Sequence, residues 1–215
     1  FLELAKYIQV EQMKKEFDRK QGIGGSDATK LYNGEWHTLW LEKTGDAEPV
    51  DLSDVLPVQM GVHTEPFNIA WFEKQTGLKV TGKQETFFHK DYPHMYAHVD
   101  GLILGDDKAL LECKHTNAFT NSKKQADKYK AQIQHYLMVT GYPKLYFSAF
   151  YGNMKWEALE ITADAEFQEQ LLNAEVLFLH FVTTKKEPPE HISFDNFNQK
   201  EFSDGRTIIP IHTRA

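Results

Sequence analysis

Three charged residues, Asp100, Glu112 and Lys114, have the types and the spacing that a hydrolytic metal centre requires. In a β-strand, residues two apart point to the same face. Glu112 and Lys114 are therefore predicted to share one face of a strand, while Leu111 and Cys113 point into the core. Asp100 precedes Glu112 by twelve residues across a short turn, so a hairpin would bring both carboxylates to the lysine.

The neighbouring carboxylates indicate a divalent cation, because two such groups repel each other unless a positive charge lies between them. Hard oxygen ligands favour Mg²⁺ or Mn²⁺ over zinc. A lysine beside such an ion can hold or deprotonate the attacking water. The alternative is a surface salt bridge between Glu112 and Lys114, with Asp100 as a turn residue. The apolar run Ala109–Leu111 favours burial of the strand, and buried charges need partners.

Histidine and cysteine offer other chemistry. Zinc is an alternative metal, because four of the ten histidines lie close together in the sequence, namely His89, His94, His98 and His115. The sequence has no HExxH helix, however, and these histidines are interpreted as polar surface or cleft residues. The single cysteine, Cys113, is predicted to face inward as a small core residue rather than to act as a nucleophile.

Composition narrows the class of protein. With 215 residues, 41% of them hydrophobic and 26% charged, the chain is predicted to form a single domain over residues 1–215. One cysteine excludes intrachain disulfides, cysteine-based zinc sites and iron–sulfur clusters, and favours a reducing compartment such as a cytosol. Neither a signal peptide nor a membrane span is expected. The net charge of −7 argues against coating nucleic acid with the whole surface.

The elements that must position these residues follow from hydrophobic periodicity and turn signals. An N-terminal helical region of about residues 1–77 precedes strands, and an irregular tail begins near residue 185. Helices are predicted at 4–20, after 26, at 38–45, 58–76, 124–140 and 163–182, and strands at 79–81, 85–89, 95–104, 109–115, 144–151 and 154–161. This order predicts an α/β fold, with a mixed central sheet flanked by helices.

Five short motifs, which occur in a fixed order along the chain, carry a resemblance to a known family. They are Arg19 with the turn Gly22-Ile-Gly-Gly-Ser26-Asp27, Gly61-Val-His-Thr-Glu65, His98-Val-Asp100-Gly101, Leu111-Glu112-Cys-Lys114 and Gln132-Ile-Gln-His-Tyr136. Together they resemble the YqaJ-like viral recombinase family, the relatives of phage lambda exonuclease within the PD-(D/E)XK nuclease superfamily. The resemblance covers roughly residues 17–151. One departure is Val99, which stands where many members have proline.

The resemblance implies roles for individual residues. Asp100 and Glu112 resemble the family's metal ligands, with the backbone carbonyl of Cys113 completing the site, and Lys114 resembles its catalytic lysine. Glu65 corresponds to a further acid near one or two Mg²⁺ ions. Gln132 is expected to face the active centre. Arg19 and Ser26 are expected to bind a terminal 5′-phosphate.

The implied activity is a 5′-to-3′ exonuclease on linear duplex DNA that leaves 3′ single strands for phage-type recombination. A restriction-like or junction-resolving endonuclease remains the alternative, and a non-catalytic DNA-binding module is a third. The resemblance also implies a homotrimer, a single-strand annealing partner and a phage or prophage gene expressed in bacterial cytosol. The local basic stretch supplies candidate DNA-backbone contacts, namely Lys123, Lys124, Lys128 and Lys130.

Overall fold

The computed structural model describes residues 20, 22–105, 108–190 and 192–194. Within the described residues, three helices are followed by five strands, two helices, two strands and a final helix, close to the order that the periodicity predicts. The helices are α1 Gly25–Tyr32, α2 Trp36–Thr44, α3 Leu56–Thr76, α4 Ser122–Lys128, α5 Lys130–Thr140 and α6 Ala165–Thr184. The strands are β1 Val80–Thr81, β2 Glu85–Phe88, β3 Tyr96–Val99, β4 Gly101–Ile103, β5 Ala109–Thr116, β6 Lys144–Tyr151 and β7 Lys155–Thr162.

A mixed five-stranded sheet forms the centre of the molecule, in the order β1-β4-β5-β6-β7. Strands β5 and β6 are parallel, and α4 and α5 connect them, whereas the other neighbours are antiparallel. Strands β2 and β3 form a separate antiparallel pair. Helix α3 packs against β5, and α5 lies against both sheets. The predicted α/β class with a mixed sheet and flanking helices is confirmed.

The strand predicted over residues 95–104 is wrong in one respect, because it is interrupted at Asp100. Its first half, β3, pairs with β2, and its second half, β4, pairs with β1 and β5. Gly101 permits this change of partner, since a Cβ there would lie 2.4 Å from Cγ1 of Val80. The interruption leaves Asp100 between the two sheets, next to the start of β4.

The single helix predicted over residues 124–140 is also wrong. Two helices, α4 and α5, meet at Tyr129, whose backbone has φ −98° and ψ 11°. The Tyr129 ring packs 5.9 Å from that of Phe147 in the sheet, and the amine of Lys114 lies 4.9 Å from its centroid. These tertiary contacts favour the break over the helical propensity of the segment.

A buried polar network attaches α3 to the central sheet. The Asn68 side chain donates to the carbonyl oxygens of Lys114 and Ser148, at 3.2 and 3.1 Å. The Ser148 hydroxyl donates to Asn68 Oδ1, and the Trp156 indole donates to that hydroxyl. Because buried polar groups are costly unless paired, this network fixes the face of α3 that meets β5 and β6.

Two segments predicted from the sequence lie mainly outside the residues that the structure describes. The predicted helix over residues 4–20, apart from Lys20, lies outside the described residues, as does most of the tail predicted beyond residue 185. The single-domain boundaries stay a prediction. Within the described part of the chain, no helix is long and apolar enough to cross a bilayer.

Candidate active site

Asp100 reaches the middle of β5 from the gap between the two sheets. Its Oδ2 accepts a hydrogen bond of 2.7 Å from the backbone N–H of Cys113. Burial raises the pKa of Asp100, while Lys114 and the Cys113 N–H favour the carboxylate and oppose that rise. The Cys113 side chain points the other way, into the core cluster with Leu111, as the strand period predicts.

Glu112 is the buried acid of the site, with only 2% of its surface exposed. Its Oε1 accepts hydrogen bonds from the Lys114 amine and from Gln132 Nε2, the latter at 3.0 Å. Its Oε2 is buried and has no hydrogen-bond partner. Burial, followed by the charge of Asp100, raises the pKa of Glu112 to about 8. An acceptor oxygen of this kind fits a site built to receive a cation or a proton.

The Lys114 side chain extends along the same face of β5 as Glu112. Burial opposes its charged form, but the carboxylates of Glu112 and Asp100 outweigh burial and raise the pKa of Lys114 above its ordinary value. The amine is therefore an ammonium at neutral pH. It can donate hydrogen bonds and stabilise negative charge, which favours holding a water over deprotonating it.

Glu65 lies on α3, half-buried on the side that faces Asp100. Burial and then the charge of Asp100 raise its pKa, while Lys114 and the Gln84 amide, which donates to Glu65 Oε1, act in the opposite direction. The third acid of the resemblance thus lies close enough to interact electrostatically with the other two. Gln84 was not singled out in the sequence analysis.

Gln132 links the acids to the glycine turn that opens α1. Its amide donates to Glu112 Oε1 and to the Tyr136 hydroxyl, both at 3.0 Å. A Cβ on Gly25 would lie 2.6 Å from the Tyr136 ring and 2.7 Å from Gln132 Cγ. Only glycine allows α1 to approach α5 this closely, so the turn lies directly beside the candidate centre.

Ser26 occupies the first turn of α1 and is exposed to solvent. The N–H of Gly24 is already bonded to Asp27 Oδ2 at 2.9 Å, and Lys43 pairs with that carboxylate at 2.7 Å. An anion at this turn would therefore use the Ser26 hydroxyl and the other N–H groups of the first turn. Arg19, its expected partner, lies outside the described residues.

The four lysines of the basic stretch differ in their surroundings. Lys128 lines the cleft, with its amine 5.3 Å from the Tyr129 centroid. Lys130 instead pairs with Asp164 at 3.2 Å and lies 4.2 Å from the Phe167 ring centroid, directed toward α6. Lys123 and Lys124 are exposed in the first turn of α4.

Glu65, Asp100 and Lys114 line one open cleft of about 770 Å³, together with the exposed apolar start of α3 and with Tyr129, whereas the buried Glu112 is not part of its lining. A neighbouring cavity of about 440 Å³ shares His115 with it but is aromatic and has no acidic residue in its lining. The first cleft is therefore the candidate site. Within the described residues, no three side chains of histidine, cysteine, aspartate or glutamate form a complete metal-binding group.

The histidines make separate contacts. His89 Nδ1 accepts from the N–H groups of Asp91 and Tyr92. His115 bonds to Thr64 and to the carbonyl of Gly152, each at 3.1 Å. The thiol of Cys113 has a pKa well above its ordinary value because of burial and the neighbouring carboxylates, which disfavours a reactive thiolate.

The sequence match and the geometry agree on one family. A family model for the YqaJ-like viral recombinase domain matches residues 16–143, which include all three acids and Lys114. The chain belongs to the YqaJ-like viral recombinase family. This YqaJ-like chain is 37% identical over 186 residues to a curated relative, "Uncharacterized protein YqaJ" of Bacillus subtilis (strain 168), a match that covers 81% of the chain. It spans 57% of that relative's length.

Two solved structures similar to the YqaJ-like chain are named as exonucleases. An alkaline exonuclease, LHK-Exo from Laribacter hongkongensis, has a TM-score of 0.61 at 19% identity, covering 78% of this chain and 90% of that one. A phage related exonuclease from Haemophilus somnus 129PT has a TM-score of 0.53 at 11% identity, covering 70% and 82%. These similarities show a shared fold.

Proposed function

We propose that this chain is a divalent-metal-dependent deoxyribonuclease that digests linear duplex DNA from its 5′ ends and leaves 3′ single strands for phage-type recombination. The observation that carries the proposal is the buried Glu112, with one unpartnered oxygen, held between Asp100 and the Lys114 ammonium. Membership of a viral recombinase family and the fold shared with proteins named exonucleases support the exonuclease activity and the recombination role, whereas the 5′-to-3′ polarity rests on the resemblance of the motifs.

The residues present fit a Mg²⁺ or Mn²⁺ site. Asp100, Glu112 and Glu65 would supply hard oxygen ligands. Burial raises the pKa of all three, and repulsion from Asp100 adds to the rise at Glu112 and Glu65, a rise that a cation would reverse. Mg²⁺ commonly takes only one or two protein carboxylates and keeps several waters, so an incomplete set of side chains suits it. The Cys113 carbonyl is the further proposed ligand, for one or two ions.

In this proposal the chain's own groups position the reactants. A bound Mg²⁺ would polarise the scissile phosphate and lower the pKa of water. The Lys114 ammonium would donate to the attacking water or to the developing phosphate charge. The Gln132 amide and the Lys114 ammonium hold one oxygen of Glu112, which leaves its other, buried oxygen available to a cation.

Digestion of end-labelled duplexes tests the proposal. Label on a 5′ end should be released first as mononucleotide, only with Mg²⁺ or Mn²⁺, and a covalently closed circle should survive. Cleavage of the circle would favour the endonuclease alternative. Binding of duplex DNA without any cleavage in the presence of either metal would favour the non-catalytic module.

We infer the assembly and setting from the same resemblance. A homotrimer around duplex DNA would keep the enzyme on its substrate, a single-strand annealing protein would receive the 3′ strand, and the gene would belong to a phage or prophage active in bacterial cytosol. Sedimentation of the protein, with and without DNA, tests the trimer.

Lys128 and Lys130 should differ in their effect on DNA affinity. Log affinity falls with log salt at a slope of about −0.9 per neutralised phosphate, so Lys128→Ala should flatten the slope by about one. Lys130→Ala should leave the slope unchanged, because its amine already pairs with Asp164. Affinity measured in Ca²⁺, to suppress cutting, over a series of salt concentrations checks this. Equal changes in both variants would contradict the assignment.

The turn at Ser26 predicts a preference for phosphorylated ends. Hydrogen bonds to a charged group contribute about 1.5–3 kcal/mol, so a 5′-phosphorylated duplex should be digested at least about tenfold faster than a 5′-hydroxyl one. Ser26→Ala should reduce that preference, whereas Asn33→Ala, at the opposite end of α1, should not. Equal initial rates of wild-type protein on the two duplexes would argue against the pocket.

A further inference from the structure

Gln84, in the turn between β1 and β2, adopts a left-handed backbone with φ of 59°. Among the described residues, the other non-glycine with positive φ is Lys185, which ends α6 in the usual way for a helix. Gln84 has no such role. Non-glycine residues hold this conformation only when their surroundings determine it, and such strain concentrates at functional sites.

The Gln84 amide contacts two acids of the candidate centre. Its Nε2 donates to Glu65 Oε1, and the side chain also lies close enough to Asp100 to favour the charged carboxylate and lower its pKa. Glu65 comes from α3 and Asp100 from the gap between the sheets. One neutral amide therefore joins carboxylates from separate elements that would otherwise repel each other.

His98 and Thr86 fix the direction of this amide. Gln84 Oε1 lies 2.6 Å from His98 Nε2, and His98 Nδ1 lies 2.9 Å from Thr86 Oγ1. A hydroxyl donating to Nδ1 leaves the proton on Nε2, which then donates to Oε1. The amide NH₂ must then face the carboxylates. Thr86 and His98 are directly opposite each other in the β2–β3 pair, so strand register sets the whole chain of bonds.

We propose that Gln84 is a positioning residue that holds the Glu65 and Asp100 carboxylates ready for a divalent cation, with its amide oriented by His98 and Thr86. This inference rests on the proposed metal site. Hydrogen-bond partners that orient metal ligands typically account for 10–100-fold in metal affinity. The left-handed backbone at Gln84 allows the short connection between β1 and β2 to bring the amide to both acids.

Replacing Gln84 with glycine separates this role from a structural one. Gln84→Gly relieves the left-handed backbone and removes the amide, so the Tm of the metal-free protein should be unchanged or higher. Its affinity for Mn²⁺ alone, measured by titration calorimetry without DNA, should fall about 10–100-fold. A merely structural glutamine would give the reverse, a lower Tm with wild-type Mn²⁺ affinity, and that result would overturn the proposal.

Two further variants strengthen the test. Gln84→Asn keeps an amide that tolerates the left-handed region but is too short to reach both acids, so it should also bind Mn²⁺ weakly. Lys83→Ala, the exposed neighbour in the same turn, is the matched control and should bind as wild type.

Wild-type protein that binds no Mn²⁺ would overturn the proposed metal site and this inference together. If the wild-type protein cuts DNA and the Gln84→Gly variant binds Mn²⁺ as tightly as wild type, the inference about Gln84 is overturned while the proposed metal site stands.

Discussion

Lys114→Ala is expected to lower the rate of DNA cleavage by about 10²–10⁴-fold, the range that a positioned proton donor or acceptor contributes. The ammonium lies against Glu112 and next to Asp100, which hold it in the charged form. Removing it leaves the carboxylates in place, so binding of Mn²⁺ should persist. Single-turnover cleavage and Mn²⁺ titration, measured on the same preparation, separate the two effects.

Glu112→Gln and Lys90→Ala complete that experiment. The glutamine variant keeps the shape of the side chain but loses its charge, so both cleavage and Mn²⁺ binding should be lost. Lys90, whose side chain is 87% exposed, is the matched lysine control and should behave as wild type. Cleavage by Lys114→Ala within about tenfold of wild type would contradict the catalytic assignment.

The period of β5 was sufficient to predict which of its residues share a face. Alternation placed Glu112 with Lys114 and Leu111 with Cys113, and the structure has both pairs on those faces. The apolar residues before Glu112 correctly indicated burial. These inferences succeed because strand alternation is a local property of the backbone, independent of what packs against the strand.

The features that were missed depend on contacts between distant segments. Tyr129 interrupts a helix because of the sheet beneath it, and Asp100 interrupts a strand because two sheets diverge there. Gln84 has no signal in the sequence except Gly82, two residues before it, since its bonds go to α3 and β3. Gly25 was interpreted as part of a phosphate-binding turn, and its close approach to α5 became evident only from the packing.

A second large effect is expected at a buried ion pair behind the site. His135 Nδ1 lies 2.8 Å from Glu175 Oε1, both side chains are fully buried, and Glu175 Oε2 has no hydrogen-bond partner. His135 Nε2 also bonds to the carbonyl of Tyr96 at 2.9 Å. The pair thus joins α5, which carries Gln132, to α6 and to β3, which leads to Asp100.

Breaking this pair should destabilise the protein strongly. His135→Leu leaves the Glu175 carboxylate buried and unpaired, so the free energy of unfolding should fall by about 3–5 kcal/mol. The double variant His135→Leu/Glu175→Met should recover part of that loss, because no uncompensated charge remains. Urea unfolding of the wild type, the His135→Leu and Glu175→Met single variants and the double variant gives the coupling energy. His37→Leu is the matched control, since His37 pairs with an exposed Glu187 and should cost less than about 1 kcal/mol.

The same pair should make stability depend on pH. Burial opposes the charged form of His135, but Glu175 outweighs it and raises the pKa of His135 above 6.5, while burial raises the pKa of Glu175. The native state therefore retains protons that the unfolded chain releases, and its stability falls as pH rises. For His135 the stabilisation is complete below 6.5 and is lost as pH rises through the folded pKa. The double variant should show a shallower decline above pH 6.5, and an equal decline in both proteins would show that the pair carries no such linkage.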